Sequence, residues 1–129
     1  MITKQGLGLI DSQDAVFGNI AYDLASLIDD VRFKTDKKFK DKILNLFIKN
    51  NKSLDRNKFQ NDFEILSVLR NFKIIGIFSR LSKRDKKHRY LKLIPYAWKL
   101  IEGRINNNIK FNHLKNIVDK NFPKNIRKK

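Results

Sequence analysis

The sequence has no cysteine, two histidines, two prolines and five glycines among 129 residues. Without cysteine it can carry no disulfide framework, no thiolate nucleophile and no Cys-ligated zinc, and its scattered histidines form no His-based metal cluster. Long apolar runs are also lacking. Lys, Arg or Asp breaks every hydrophobic stretch within about a dozen positions, well short of the ~20 residues of a membrane span. The start, Met1-Ile2-Thr3-Lys4-Gln5-Gly6, lacks the basic head and apolar stretch of a secretory signal, so the expected location is the cytoplasm.

What is abundant is positive charge. There are 29 Lys and Arg against 13 Asp and Glu, a formal net charge of +16, while 41% hydrophobic residues suffice for one modest core. The balance is uneven: residues 1–30 hold one Lys against five Asp, leaving 28 basic and 8 acidic residues in 31–129. Such a body attracts phosphate-rich partners, which makes a basic helical nucleic-acid-binding module one reading of the chain. The Lys, Asn and Ile usage of an AT-rich genome places lysines on any solvated face and explains the same numbers without a partner. No zinc, helix-turn-helix or RNP spacing is present to favour nucleic acid.

Periodicity predicts a mainly α chain. Leu7-Gly8-Leu9-Ile10 reads as a short buried strand, with residues 1–5 as the other arm of an N-terminal β-hairpin, and Ser12 to Asn19 as a loop. Helices follow from about Tyr22. Leu24, Leu27, Ile28 and Val31 mark the first, and Asp23 is placed to cap or support its opening turn. Phe39, Ile43, Leu46 and Phe47 mark the second. Asp55 opens a third through Phe59, Phe63, Leu66 and Leu69, and the run Ile74 to Phe78 predicts a centrally packed helix, with Gly76 allowing a close neighbour. Residues 83–89 are a polar break. Tyr90, Leu91, Ile94, Trp98 and Ile101 give another helix, which Pro95 can enter only near its first turn or with a kink. Phe111 to Phe122 is the last, and residues 123–129 read as a basic tail that frays.

Motifs for chemistry are few. Gly6-x-Gly8 has Asp11 where a dinucleotide fingerprint needs its third glycine, and no Gly-Lys-Ser/Thr phosphate loop occurs. Asp11, leaving the end of the predicted strand, is well placed to ligate a hard cation such as Mg2+, because the strand fixes its Cα and the loop leaves its oxygens open. The same residue type bonds loop amides in an Asx turn, and spacing alone leaves both readings open. Gln13 and Asp14 share that ambiguity as candidates to support Asp11 from behind. Arg70, Arg80 and Arg84 are candidates to approach an acidic substrate, or are solvated surface groups; Trp98 and Tyr90 read as core, and His88 and His113 as exposed.

Two ordered blocks carry a resemblance. The first is Gly8-Leu9-Ile10-Asp11-Ser12-Gln13-Asp14-Ala15, then Gly18, Tyr22-Asp23-Leu24-Ala25-Ser26-Leu27 and Asp30. The second is Leu69 to Leu81 with Lys83-Arg84-Asp85, Tyr90-Leu91 and Pro95. Together, over roughly residues 6–100, they resemble the C-terminal part of the aminoglycoside phosphotransferase and choline kinase superfamily, closest to the bacterial N-acetylmuramate/N-acetylglucosamine kinases. The resemblance implies that residues 1–122 are the helical C-terminal subdomain of a protein-kinase-like fold, with a metal loop over 9–15. It implies that Asp11 binds the Mg2+ that bridges the phosphates of ATP, and that Asp23 is a buried residue supporting the catalytic segment by hydrogen bonds. Ser12 stands where the family has an aromatic residue, and Gly18-Asn19 where it has Gly-Pro. The family's catalytic base and nucleotide lobe lie before the strand, and Met1 to Gly6 offer no candidate base. The expectation is therefore a kinase fragment, inactive or nearly so alone, with nucleotide and amino-sugar substrates in the full enzyme, whose remainder either is encoded elsewhere, as a separate N-terminal half, or was lost.

Overall fold

A computed structural model describes residues 2–4, 6, 7 and 17–128. Two short segments, β1 (Ile2–Thr3) and β2 (Gly6–Leu7), pair antiparallel with Ile2 opposite Leu7 and Thr3 opposite Gly6. So short a ladder does not support the expected hairpin built on a buried strand over 7–10; residues 8–10 lie outside the described residues. The rest is helical: α1 (Ala21–Ile28), α2 (Lys37–Asn50), α3 (Arg56–Asp85), α4 (Ile94–Ile105), α5 (Asn112–Asn121) and α6 (Lys124–Arg127), with 3-10 turns at His88–Leu93 and Ile109–Phe111.

The helix starts follow local chemistry. The Asp36 carboxylate accepts the Phe39 amide at 2.7 Å to open α2, and Asp55 accepts the Lys58 amide at 2.9 Å to open α3. At α1 the cap comes from Asn19, whose Oδ1 accepts the Ala21 amide at 2.9 Å; Asp23 sits exposed in the first turn, where its charge complements the helix dipole. Pro95 occupies the first turn of α4, as its missing N–H requires.

One helix organises everything else. The two helices expected over 55–81 are a single 30-residue α3, about 45 Å long, because the lone Gly76 is too weak a breaker to interrupt it. The first half of α3 buries Phe59 and Phe63 against Ala21, Leu24, Ala25 and Ile28 of α1, and Phe47 of α2 stacks on Phe59 at 5.4 Å. The second half packs Val68, Phe72 and Ile75 against Trp98, Ile101 and Ile105 of α4, with Phe111 and Val118 completing that core. The central packing expected at Gly76 is not found. The glycine is exposed, and a Cβ built there meets nothing within 4 Å among the described residues.

Two further expectations change. On α2 the half-buried face is Ile43, Leu44, Phe47 and Ile48, leaving Phe39 and Leu46 about half exposed; no α2 residue is fully buried. Leu27, counted in the α1 stripe, is also exposed. The C-terminal segment is docked through Arg127, which is 4% exposed. Its guanidinium donates to Glu102 at 2.8 Å and Asp119 at 2.6 Å, and lies 5.6 Å from the Trp98 ring centroid. Lys115 and Arg127 together hold the Asp119 carboxyl down at about 2.

Two stability predictions follow from these features. Gly76→Ala should raise stability by roughly 0.5–1 kcal/mol in chemical denaturation, since it removes unfolded-chain entropy at an open helical site. Arg127→Ala, which leaves two carboxylates facing an emptied site, should lower Tm by at least about 5 °C in calorimetry; an unchanged Tm would make the docking incidental.

Candidate functional site

Polar residues stand at core positions on three helices. Asp29 closes α1 one residue past Ile28, Ser67 lies four residues after Phe63 on α3, and Arg104 sits between Ile101 and Ile105 on α4. The fold brings them together. Asp29 is fully buried, accepting the Ser67 hydroxyl at 2.6 Å, the Lys40 ammonium at 2.7 Å and the Arg104 Nη2 at 3.2 Å. Arg70 donates to Ser26 Oγ at 2.8 Å and to the Asp29 carbonyl at 3.4 Å, so α1 is tied to α3 twice more. Burial raises the Asp29 pKa, but Arg104, Lys40 and the Ser67 hydroxyl outweigh it, and the net shift is downward.

Beside this knot opens a cleft of about 710 Å³ between α2, α3 and α4. Its lining includes Asp29, Lys40 and Arg104, with Lys40 Nζ 5.7 Å from the centroid of the Tyr96 ring. It also includes Glu64, which accepts Asn108 Nδ2 at 2.6 Å and Gln60 Nε2 at 3.1 Å, and Asn107. Asp36, Asp41, Lys37 and Lys99 also line it. Planar amides and carboxylates beside an aromatic face suit a small, hydroxyl-rich ligand.

The residues expected to bind the metal are not among those gathered here. Asp11, Gln13 and Asp14 lie outside the described residues. Among the described residues, no three of His, Asp and Glu come together where a metal ion could be held. The buried supporting acid expected at Asp23 is not found there, because Asp23 is exposed; Asp29 is the acid that the fold buries and ties to three other elements. Reading only apolar periodicity missed it. The available signal was a polar residue falling inside the apolar stripe of each of three helices.

The remaining candidates divide. Trp98 is core, with an edge-on contact to Phe72 at 5.7 Å, and Tyr90 is half-buried against Phe78 at 5.1 Å. Arg84 pairs with its neighbour Asp85 at 2.6 Å, Arg80 is exposed, and both histidines are exposed, His88 with its Nδ1 2.8 Å from Ser82 Oγ. No helix among the described residues is long and apolar enough to cross a membrane.

Comparison with known proteins gives a consistent set of relatives. The chain is 36% identical over 92 residues to an N-acetylmuramate/N-acetylglucosamine kinase of Caulobacter vibrioides, covering 71% of this chain and 25% of that protein. The kinase of the same name from Neisseria meningitidis is 35% identical over 104 residues, covering 74% of this chain and 30% of the relative. That from Pseudomonas aeruginosa is 30% identical over 111 residues, covering 81% and 33%. The chain thus spans a quarter to a third of the length of the curated relatives it matches. No protein-family model matches it, and no solved structure matches it.

Asp29→Asn should cost roughly 3–5 kcal/mol, because Lys40 and Arg104 lose their shared buried carboxylate. The pH dependence has a definite sign. A lowered native pKa contributes stability above the unfolded carboxyl pKa of about 4, and that contribution disappears as pH falls through the native value. Melting temperature should therefore fall more steeply below pH ~4 in the parent than in Asp29→Asn; parallel profiles would remove Asp29 from the acid response.

Proposed function

We propose that this chain is the C-terminal helical portion of an amino-sugar kinase with a protein-kinase-like fold, which transfers the γ-phosphate of ATP to a sugar hydroxyl. One observation carries the reading: relatives from several bacteria, all bearing the same kinase name, match this chain at 30–36% identity over most of its length. The polar cleft between α2, α3 and α4 supports it, because its amides, carboxylates and tyrosine suit an acceptor sugar.

In this reading Asp11 holds Mg2+, with Gln13 and Asp14 behind it, and the cation would neutralise charge on the nucleotide phosphates. The helical body has a separate task. Asn19, just ahead of α1, donates to Asp62 on α3 at 2.7 Å. Ser26 and Asp29 then lock α1 along α3, so the start of α1 and the cleft are held on one frame. No residue of this chain is assigned as the general base or as a contact of the nucleotide base; in this reading these come from the part of the relatives' length that this chain does not span.

The test is complementation. The purified chain is mixed with the N-terminal two-thirds of the Caulobacter vibrioides relative, Mg2+, ATP and N-acetylglucosamine or N-acetylmuramate, and sugar phosphate is followed by phosphorus NMR. Phosphorylation should need both pieces, and Asp11→Asn should lower it at least about 100-fold. Full turnover by this chain alone would end the fragment reading. Undiminished turnover in Asp11→Asn would take Asp11 out of the metal role.

A further inference from the structure

Positive charge is concentrated as well as abundant. Residues 80–92 hold seven Lys and Arg against the single acid Asp85, more than twice the density of cations in the chain as a whole. Compositional drift scatters lysines over a surface and does not gather them at one end of a helix. The fold keeps this group together. Arg80, Lys83 and Arg84 recur at three- and four-residue steps on the last turns of α3. The chain then reverses at Lys86, whose backbone takes the left-handed conformation (φ 54°) that closes the helix, while the Lys87 amide donates to the Leu81 carbonyl at 3.1 Å. Glycine fills such a position most easily, yet here it carries a cation. The 3-10 turn His88–Leu93 folds back so that Tyr90 rests on Phe78 of α3 at 5.1 Å, which brings Arg89 and Lys92 to the same end of the molecule.

All seven cations are exposed. Arg84 pairs with Asp85 at 2.6 Å, and the other six have no bonded acid among the described residues. Their fields overlap. The Asp85 carboxyl is held down first by its bond from Arg84 and then by Lys87 and Arg80, and the Tyr90 phenol is lowered first by its bond from Arg89 and then by Lys87 and Arg32. None of residues 80–92 lines the cleft between α2, α3 and α4, whose acids and bases are equal in number.

What the patch lacks defines the polyanion it fits. Leu91, 38% exposed, is the one large apolar side chain exposed among residues 80–93, too little to insert into a lipid surface. The Tyr90 ring is taken up by Phe78 and by the Arg89 guanidinium 5.1 Å from its centroid, so it offers no open platform for an unpaired base. Cations on a rigid helix end, without a stacking ring, suit a partner that presents phosphates at fixed spacing on a rigid surface of its own. We infer that the end of α3 and the turn after it form a docking surface for double-helical nucleic acid, bound through its phosphates without base readout. This surface is separate from the sugar cleft, and its test leaves the kinase reading untouched.

Fluorescence anisotropy of a labelled DNA duplex of arbitrary sequence, titrated with the intact chain, reads this out. The expected Kd is roughly 1–100 μM at physiological salt, and log K should fall with log salt at a slope of about −4, as for roughly four or five neutralised phosphates. Lys83→Gln, Lys87→Gln and Lys92→Gln combined should flatten that slope by about 2–3 and weaken binding at least about tenfold. A matched triple on α2, Lys38→Gln, Lys42→Gln and Lys49→Gln, removes the same charge from exposed positions off the patch and should change affinity less than about threefold. Both triples should melt like the parent, since all six lysines are exposed. Equal losses in the two triples would mean that net charge and not its placement drives binding, and tighter binding to the single strand would mean that bases stack; either overturns the inference. So does failure to bind the duplex, including the case in which phosphatidylserine vesicles retain the chain and reassign the patch to an anionic membrane.

Discussion

The interaction on which this structure depends is the buried carboxylate of Asp29. The chain has two apolar cores, one between α1 and the first half of α3, the other between the second half of α3 and α4. Asp29 lies at their junction and bonds to α2 through Lys40, to α3 through Ser67 and to α4 through Arg104. Hydrophobic burial alone is non-directional and fixes no unique relative placement of two half-cores. A buried acid with three specific donors does, because any slip leaves a charge without a partner.

The long third helix is the other half of this design. Because α3 contributes to both cores, neither can be repacked without moving the other. The closing segment adds a second, smaller lock of the same kind: Arg127 is buried against Trp98 and ion-paired with Glu102 and Asp119. In a chain with so large an excess of cations, acids are the scarce component. The fold places several of them, Asp29, Glu102 and Asp119, where they fasten basic residues to the body.

Much of the helical framework was legible in the sequence. The opening of α3 at Asp55, the place of Pro95 in the first turn of its helix and the core role of Trp98 all follow from short-range rules. What was not legible depended on tertiary partners. The exposure of Phe39, Leu46 and Leu27 could not be read from period alone, since which flank of a broad stripe is covered depends on the neighbour's position. The docking of Arg127 was hidden for the same reason: a basic terminal segment looks solvated until its two acids and its tryptophan are placed around it. Asp29 and Asp23 show the limit most plainly. Both are acids on or next to the same short helix, and only the burial of one face of α1 decides which becomes structural.

The lack of any fully buried residue on α2 has a dynamic consequence. Local opening is cheapest where few apolar contacts are lost, so this helix should be the earliest to breathe away from the body. It also forms one wall of the cleft and contributes Lys40 to Asp29. Each such excursion would widen the entrance and at the same moment unload the central carboxylate, so a ligand spanning both sides would act as a clasp that slows amide exchange along α2.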